Sequence, residues 1–308
     1  MRLGFNLPQI GPAAGPEAIV RVAQRAEELG YDSVWVTERL LYPIEPKTPY
    51  MATPDGSLPE AYKIVLDPLE ALTFVAGQTS RVALGTSILD MPYYNPVMLA
   101  RRLTTLDVLS GGRLRLGLGL GWSQDEFDAA GVSLKQRGRR ADEFLSVLKA
   151  IWTTDPVEFQ GEFYQIPKSV ILPKPVQKPH PPIYLAAFSP GGLKRTATMA
   201  NGWLPAGLPP DAMKQMIAGL KDMAQQAGRD PNELEVVVRA NILVTDEALG
   251  EDRWIFTGSS EQIKSDIAAT REVGVAEIPF DPSVSPDGTS VDGFLSRMEQ
   301  MKELASAS

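Results

Sequence analysis

Alternating glycines in RLRLGLGLGWSQDE, Arg113 to Glu126, are the first hint of chemistry in this chain. Leu and Gly alternate along a strand that follows the turn signal Ser110-Gly111-Gly112 and runs out into Gly121, Trp122 and a pair of acids. Gly117, Gly119 and Gly121 point to one face of the sheet, which removes side chains where something flat or bulky must approach the backbone. A crowded barrel wall that makes room for a neighbour's ring gives the same pattern. The run is no dinucleotide fingerprint, because its glycines lie inside the strand and no helix is expected straight after it. Two other stretches have candidate binding groups. In LGTSILDMPYYNP, small polar Thr86 and Ser87, followed by Ile88, stand where propensity alone would put Val or Ile, which suggests backbone close to a ligand. In YLAAFSPGGLKRTATMANGW, Ser189, Gly191 and Gly192 stand between a strand and a helix, where free N–H groups can bind a phosphate. An ordinary Ser cap with turn glycines reads the same way.

Composition narrows the classes. With 38 acids against 30 bases the net charge is −8, and no basic tract offsets it, which argues against nucleic acid or an anionic membrane as partner. The chain has no cysteine and one histidine, so neither a disulfide framework, a thiol nucleophile nor a zinc or iron site is expected. The opening MRLGFNLPQIG lacks an apolar run of signal-peptide length, and nowhere do 18 apolar residues follow one another. A cytoplasmic protein is the expectation.

The elements that must position these groups alternate in type. Strands are predicted over 2–7, 33–37, 82–89, 113–120, 183–187, 202–205, 236–244 and 276–280. Helices are predicted over 17–29, 67–78, 96–109, 139–152, 192–200, 210–227, 260–273 and 291–304, with Asn95 as an N-cap. Nearly every strand is a continuous apolar run, as parallel strands buried on both faces require. The fold class is therefore α/β, a single (β/α)8 TIM barrel over residues 1–308, with long insertions after strands 2 and 4. A doubly wound open sheet is the structural alternative. In such a barrel the chemistry sits at the C-terminal ends of the strands.

The insertions run from Leu40 to Leu66, with five prolines, and from Thr153 to Pro182, with seven, around the hairpin-like VEFQGEFYQIP. Loops this long in a compact domain are usually functional. The first leaves the C-terminal end of a strand, and its Tyr42, Tyr50 and Tyr62 are expected to pack over the barrel mouth. His180 lies in the extended run KPHPP, where a structural role is expected.

The pieces LGYDSVWVTE, VALGTSILDMPYYNPVMLARRLTTLDVLSGGRLRLGLGLGW, RRADEFLSVLKAIW, FQGEFYQIP, PPIYLAAFSP and NGW span almost the whole chain. In their order and spacing they resemble the bacterial luciferase-like monooxygenases, in particular the deazaflavin (coenzyme F-420)-dependent oxidoreductases of that family. The resemblance implies a non-proline cis peptide at Ser87-Ile88 behind the isoalloxazine-like ring. It also places Leu120, Gly121 and Trp122 along the ribityl chain, and Phe188 and Ser189 on to Gly192 as the phosphate clamp. Asn6 and Thr86, at strand ends, join the candidate cofactor-binding set. The largest departure follows the second strand, where relatives have an acid and then a histidine; here Glu38-Arg39 stands. Arg39 cannot shuttle a proton but can hold an anion, and Glu38 can take proton duty if burial raises its pKa.

The function implied is hydride transfer between coenzyme F-420, or FMN, and a small organic substrate. Lys63, Arg137, Arg139, Lys194 and Arg195 are candidates to meet the cofactor's acidic tail, and a homodimer is the family expectation. The alternatives are an FMN-dependent monooxygenase using oxygen, a non-redox barrel enzyme acting on a phosphorylated small molecule, and a flavin-binding protein without catalysis.

Overall fold

In the computed structural model, which describes residues 1–53 and 55–308, the expected barrel is present. Its strands are β1 (Arg2–Asn6), β2 (Ser33–Val36), β3 (Ala83–Thr86), β4 (Leu114–Gly119), β5 (Ile183–Leu185), β6 (Gly202–Trp203), β7 in two pieces (Glu235–Val236 and Ala240–Asn241) and β8 (Glu277–Asp281). They are parallel neighbours in the order β6-β5-β4-β3-β2-β1-β8. Closure falls to β7, whose amides alternate between the two remaining edges. Val237 donates to Trp203 O at 2.9 Å, Val238 to Glu277 O at 2.9 Å and Arg239 to Pro205 O at 3.0 Å. An eight-stranded barrel is just wide enough for side chains to fill. Here Trp35, Tyr184, Leu204 and Val237 cluster inside it, while the larger apolar core lies between strands and helices.

The outer ring is α1 (Pro16–Glu28), α2 (Pro68–Ala76), α3 (Pro96–Leu109), α4 (Arg137–Thr153), α5 (Pro190–Met199), α6 (Pro210–Gln226), α7 (Ser260–Glu272) and α8 (Val291–Ser306). Local chemistry explains several starts. Asn95 caps α3 as expected, accepting from Val97 N at 3.0 Å and Met98 N at 3.3 Å, with Pro96 in the first turn. Asp67 caps α2 and Ser259 opens a capping box on α7. Among the described residues, no helix is long and apolar enough to cross a membrane.

Three expected elements differ. The third strand breaks after Thr86; Ser87-Ile88 is a cis peptide, and Leu89–Asp90 resumes pairing against β4. The seventh strand divides, and Leu243–Val244 turns away to pair with Thr257–Gly258. Gln124–Ala129, expected as loop, is a six-residue helix with Asp125 and Glu126 in its first turn, where acids suit the N-terminal dipole.

The glycine strand is explained by this break. A Cβ on Gly117 would run into the Thr86 carbonyl, and one on Gly119 into the Ile88 side chain. Gly121, at φ +67, lies against the rings of Phe127 and Tyr93. Thr86 then locks the two strands together: its hydroxyl donates to Gly117 O at 2.8 Å and accepts from Gly117 N at 2.9 Å. So the glycines make room for the displaced neighbouring strand.

Of the two insertions, only 40–66 reaches the mouth. Ile10, Leu58 and Tyr62 form a separate cluster there, with Tyr42, Tyr50 and Trp122 packed on it. The second forms a hairpin, Val157–Gln160 with Gln165–Ser169. Its tip is pinned to the outside of α4, where Glu143 accepts from Glu162 N (3.0 Å), Phe163 N (2.9 Å) and Tyr164 N (2.6 Å). His180 is half-buried against Trp152, its ring 5.7 Å away, with Nδ1 2.8 Å from Pro181 O.

Candidate active site

A cavity of about 400 Å³ opens at the C-terminal ends of the strands. It brings together Glu38, Arg39, Ser87, Ile88, Leu120, Gly121, Trp122, Phe188, Ser189 and Gly192, ten of the thirteen residues singled out in the sequence. Asn6, Thr86 and Gly191 do not line it. Asn6 is buried beneath, with Nδ2 3.5 Å from Thr37 Oγ1. The Thr86 hydroxyl is fully engaged with Gly117. A Cβ on Gly191 would meet nothing within 4 Å, so this residue stands in the open beside the cavity.

Glu38 leaves the end of β2 and is held from two sides. Asp90 N donates to its Oε2 at 2.7 Å, and the Tyr94 hydroxyl donates to Oε1. Burial, reinforced by the charge of Asp90, pushes its carboxyl up to about 8. Asp90 also lines the cavity and accepts from Gly121 N at 2.6 Å; burial and then the charge of Glu126 push it up to about 7. Two carboxyls whose pKa values are raised toward neutrality thus share one wall.

Arg39 does not present an open fork. Its guanidinium meets Glu126 with both arms, Nε to Oε1 at 3.0 Å and Nη2 to Oε2, and both side chains are buried. Its faces lie 5.0 Å from the Trp122 ring centroid and 5.6 Å from that of Tyr62. Glu126 also accepts from Leu40 N at 2.8 Å, which ties the start of the 40–66 loop to the pair. The Nε–Nη2 edge of Arg39 is thus closed by Glu126 in a bidentate ion pair, while Nη1 makes no hydrogen bond among the described residues and Arg39 still lines the cavity, so any anion would have to meet it from the Nη1 side.

The bulge of β3 is supported from across the barrel. Arg239 donates from Nη1 to Ser87 O at 2.9 Å, from Nε to Asn241 Oδ1 at 3.1 Å, and from Nη2 to the buried Asp281. The Ser87 hydroxyl is buried and has no hydrogen-bond partner among the described residues. At the other end of the cavity Ser189 caps α5, accepting from Gly192 N at 3.2 Å. Arg137 and Arg195 both line the cavity; Arg137 donates to Gly121 O at 3.1 Å, and Arg195 pairs with Asp142 at 2.5 Å. Lys63, Arg139 and Lys194 lie outside it, the first two paired with Glu60 and Glu162. Phe188 is exposed and edge-on to Trp203 at 6.5 Å.

Sequence reasoning missed Asp90, Arg239 and the partnership of Glu126. The first two had a faint signal: an acid ending the apolar run of β3, and a lone arginine inside VVVRANI. Among the described residues no three His, Cys, Asp or Glu side chains come together as a metal site.

A model of the luciferase-like monooxygenase family matches residues 2–259. An uncharacterized protein of Mycobacterium tuberculosis is 33% identical over 78% of this chain and 83% of its own length. The F420-dependent glucose-6-phosphate dehydrogenase of Amycolatopsis mediterranei is 34% identical, over 62% of this chain and only 53% of that protein. The crystal structure of the monooxygenase RslO1 from Streptomyces bottropensis shares the fold, with a TM-score of 0.81 at 22% identity over 100% of this chain and 99% of that one. These likenesses support an oxidoreductase. With a barrel whose mouth gathers the expected residues and a family model matching most of its length, the chain belongs to the luciferase-like monooxygenase family.

Proposed function

We propose that this chain transfers a hydride between coenzyme F-420 and a small organic substrate, with FMN as the alternative cofactor. The observation that carries the reading is the Ser87 hydroxyl, buried on the cavity wall without a partner. Buried polar groups normally find one, and its lack at this wall supports a ligand seated against Ser87. Gly119 and Gly121 line the same cavity and bring only backbone to it. F-420 is favoured over FMN by the name of the Amycolatopsis relative. When bound, the ring accepts or gives the hydride; the remaining work is done by the chain.

Ser87 and Ile88 back the ring, Leu120 to Trp122 flank the chain that leads from it, and Ser189 to Gly192 with Arg137 and Arg195 take the phosphate. Catalysis then rests mainly on orientation, with the 40–66 loop excluding water. Titrating the protein with F-420 and with FMN, followed by absorbance and fluorescence, tests the reading directly. Micromolar binding of one is expected, and binding of neither ends the proposal. Gly191→Asp adds a carboxylate in open space beside the phosphate site, so the fold survives, while cofactor affinity is expected to fall by about tenfold or more from like-charge repulsion. Unchanged affinity would put the phosphate elsewhere.

Glu38 holds the proton in this reading. Below about pH 8 its carboxyl is protonated and can donate; above, it can accept. Turnover in the reducing direction is therefore expected to fall as pH rises through about 8, and turnover in the oxidising direction to fall as pH drops through it. Glu38→Gln should erase that limb and lower turnover at saturating substrate by roughly 10²-fold or more, with cofactor affinity unchanged. Full turnover with the same pH profile would remove Glu38 from the mechanism.

A further inference from the structure

Next to the mouth cavity lies a second, of about 540 Å³, and Tyr50, Tyr62 and Arg239 line both. The two differ in character. The second is walled by Ile242, Leu243, Ile255 and Phe256 beyond β7 and by Val284 beyond β8, with Trp254 at its rim. Trp254 is 55% exposed and Val284 39%, a concentration of apolar surface that a chain normally covers. Gly207, at φ +69, leaves the space into which the Trp254 ring fits; a Cβ there would meet the ring at 3.1 Å.

The waist between the cavities is polar. The Tyr50 and Tyr62 hydroxyls lie 3.3 Å apart. Each nitrogen of Arg239 makes one bond, to Asn241, Ser87 and Asp281, and its two Nη groups carry a second hydrogen each that has no partner among the described residues. Those donors stand beside the carbonyl of Ser87, whose hydroxyl is itself unpartnered.

We propose that the two cavities form one substrate channel: an oxygen acceptor of the substrate docks at the waist against Arg239 and the two tyrosines, and an apolar arm fills the second chamber. The substrate is then a ketone, alcohol or carboxylic acid with an extended alkyl or aryl part. A sugar phosphate suits the chamber less, because the apolar walls outweigh the polar side chains there, Thr53, Asn241, Thr257 and Ser285, and many of the sugar's hydroxyls would be desolvated. The volume suits an organic molecule of moderate size. The inference rests on the hydride-transfer reading for the ring in the mouth cavity; the seating of the arm does not.

The test is binding of 2-alkanones and straight-chain alkanoates of four to ten carbons to the full chain, measured by calorimetry. Each added methylene is expected to tighten binding about fourfold. Val284→Trp, which fills the chamber from an exposed position, should flatten that dependence to less than about twofold per methylene. Trp254→Ala should weaken the ten-carbon ligands about tenfold or more and leave the four-carbon ones unchanged. Urea midpoints verify that both variants fold. Equal affinity along the series, no binding at millimolar ligand, or an unaltered slope in Val284→Trp overturns the proposal. If F-420 and FMN both fail to bind while the chain-length dependence holds, the hydride-transfer reading falls and the chamber stands.

Discussion

Gly117→Ala is expected to destabilise the chain by about 3 kcal/mol, at the upper end of what overpacking a core costs. The added methyl lands on the Thr86 carbonyl, a backbone atom that no rotamer change can move aside. Separating the strands there breaks both hydrogen bonds between the Thr86 hydroxyl and Gly117. Because Thr86 leads directly into Ser87 and Ile88, the cavity wall shifts as well, and cofactor affinity should fall together with stability. The urea midpoint reads the first effect and the F-420 titration the second. Gly219→Ala is the control: it lies inside α6 with nothing within 4 Å of an added Cβ, and should stabilise by about 0.5–1 kcal/mol. Equal effects at the two sites would show that strand packing at Gly117 is looser than the geometry indicates.

Glu126→Leu is the second large change. It leaves the Arg39 guanidinium buried between Trp122 and Tyr62 without its carboxylate, and breaking such a pair on one side costs about 3–5 kcal/mol. It also removes the acceptor for Leu40 N, so the 40–66 loop loses its anchor. Arg39→Met with Glu126→Leu removes both charges and is expected to recover most of the loss, since an apolar pair of similar volume is often as stable as the ions it replaces. A double-mutant cycle in urea measures the coupling. Simple additivity of the two single changes would mean that the pair is better solvated than its burial suggests.

Much of this was legible beforehand. The helices follow from period and caps: α3 begins and ends where the pattern from Pro96 to Leu109 places it, because Asn95, Pro96 and the Ser110-Gly111-Gly112 turn all mark its limits. The strand-end rule also worked, since Glu38, Ser87, Gly121 and Ser189 do share one cavity. What stayed hidden was long-range pairing. That Arg39 would meet Glu126, 87 positions on, has no trace in local sequence, and six residues from Gln124 to Ala129 are too few to show a helical period. The divided seventh strand eluded reading for a related reason: its residues bond alternately to two neighbours, and an apolar run looks the same whichever edge it serves.

The closing of the barrel sets an order on the chain's assembly. β1 pairs with β8, and Arg2 reaches the buried Glu277, so β1 waits for a partner 275 positions further along the chain. Until residues 235–281 emerge from a ribosome, β1 and β6 are both unpaired edges, and an open strand edge recruits other chains. Contacts this distant in sequence form slowly. The mouth is bound by the same delay, because the Ser87 carbonyl is held by Arg239 and Arg239 by Asp281. A nascent chain stalled short of Glu277 therefore holds every residue that lines the mouth cavity but lacks the closed wall that fixes them, and should depend on chaperones while it waits.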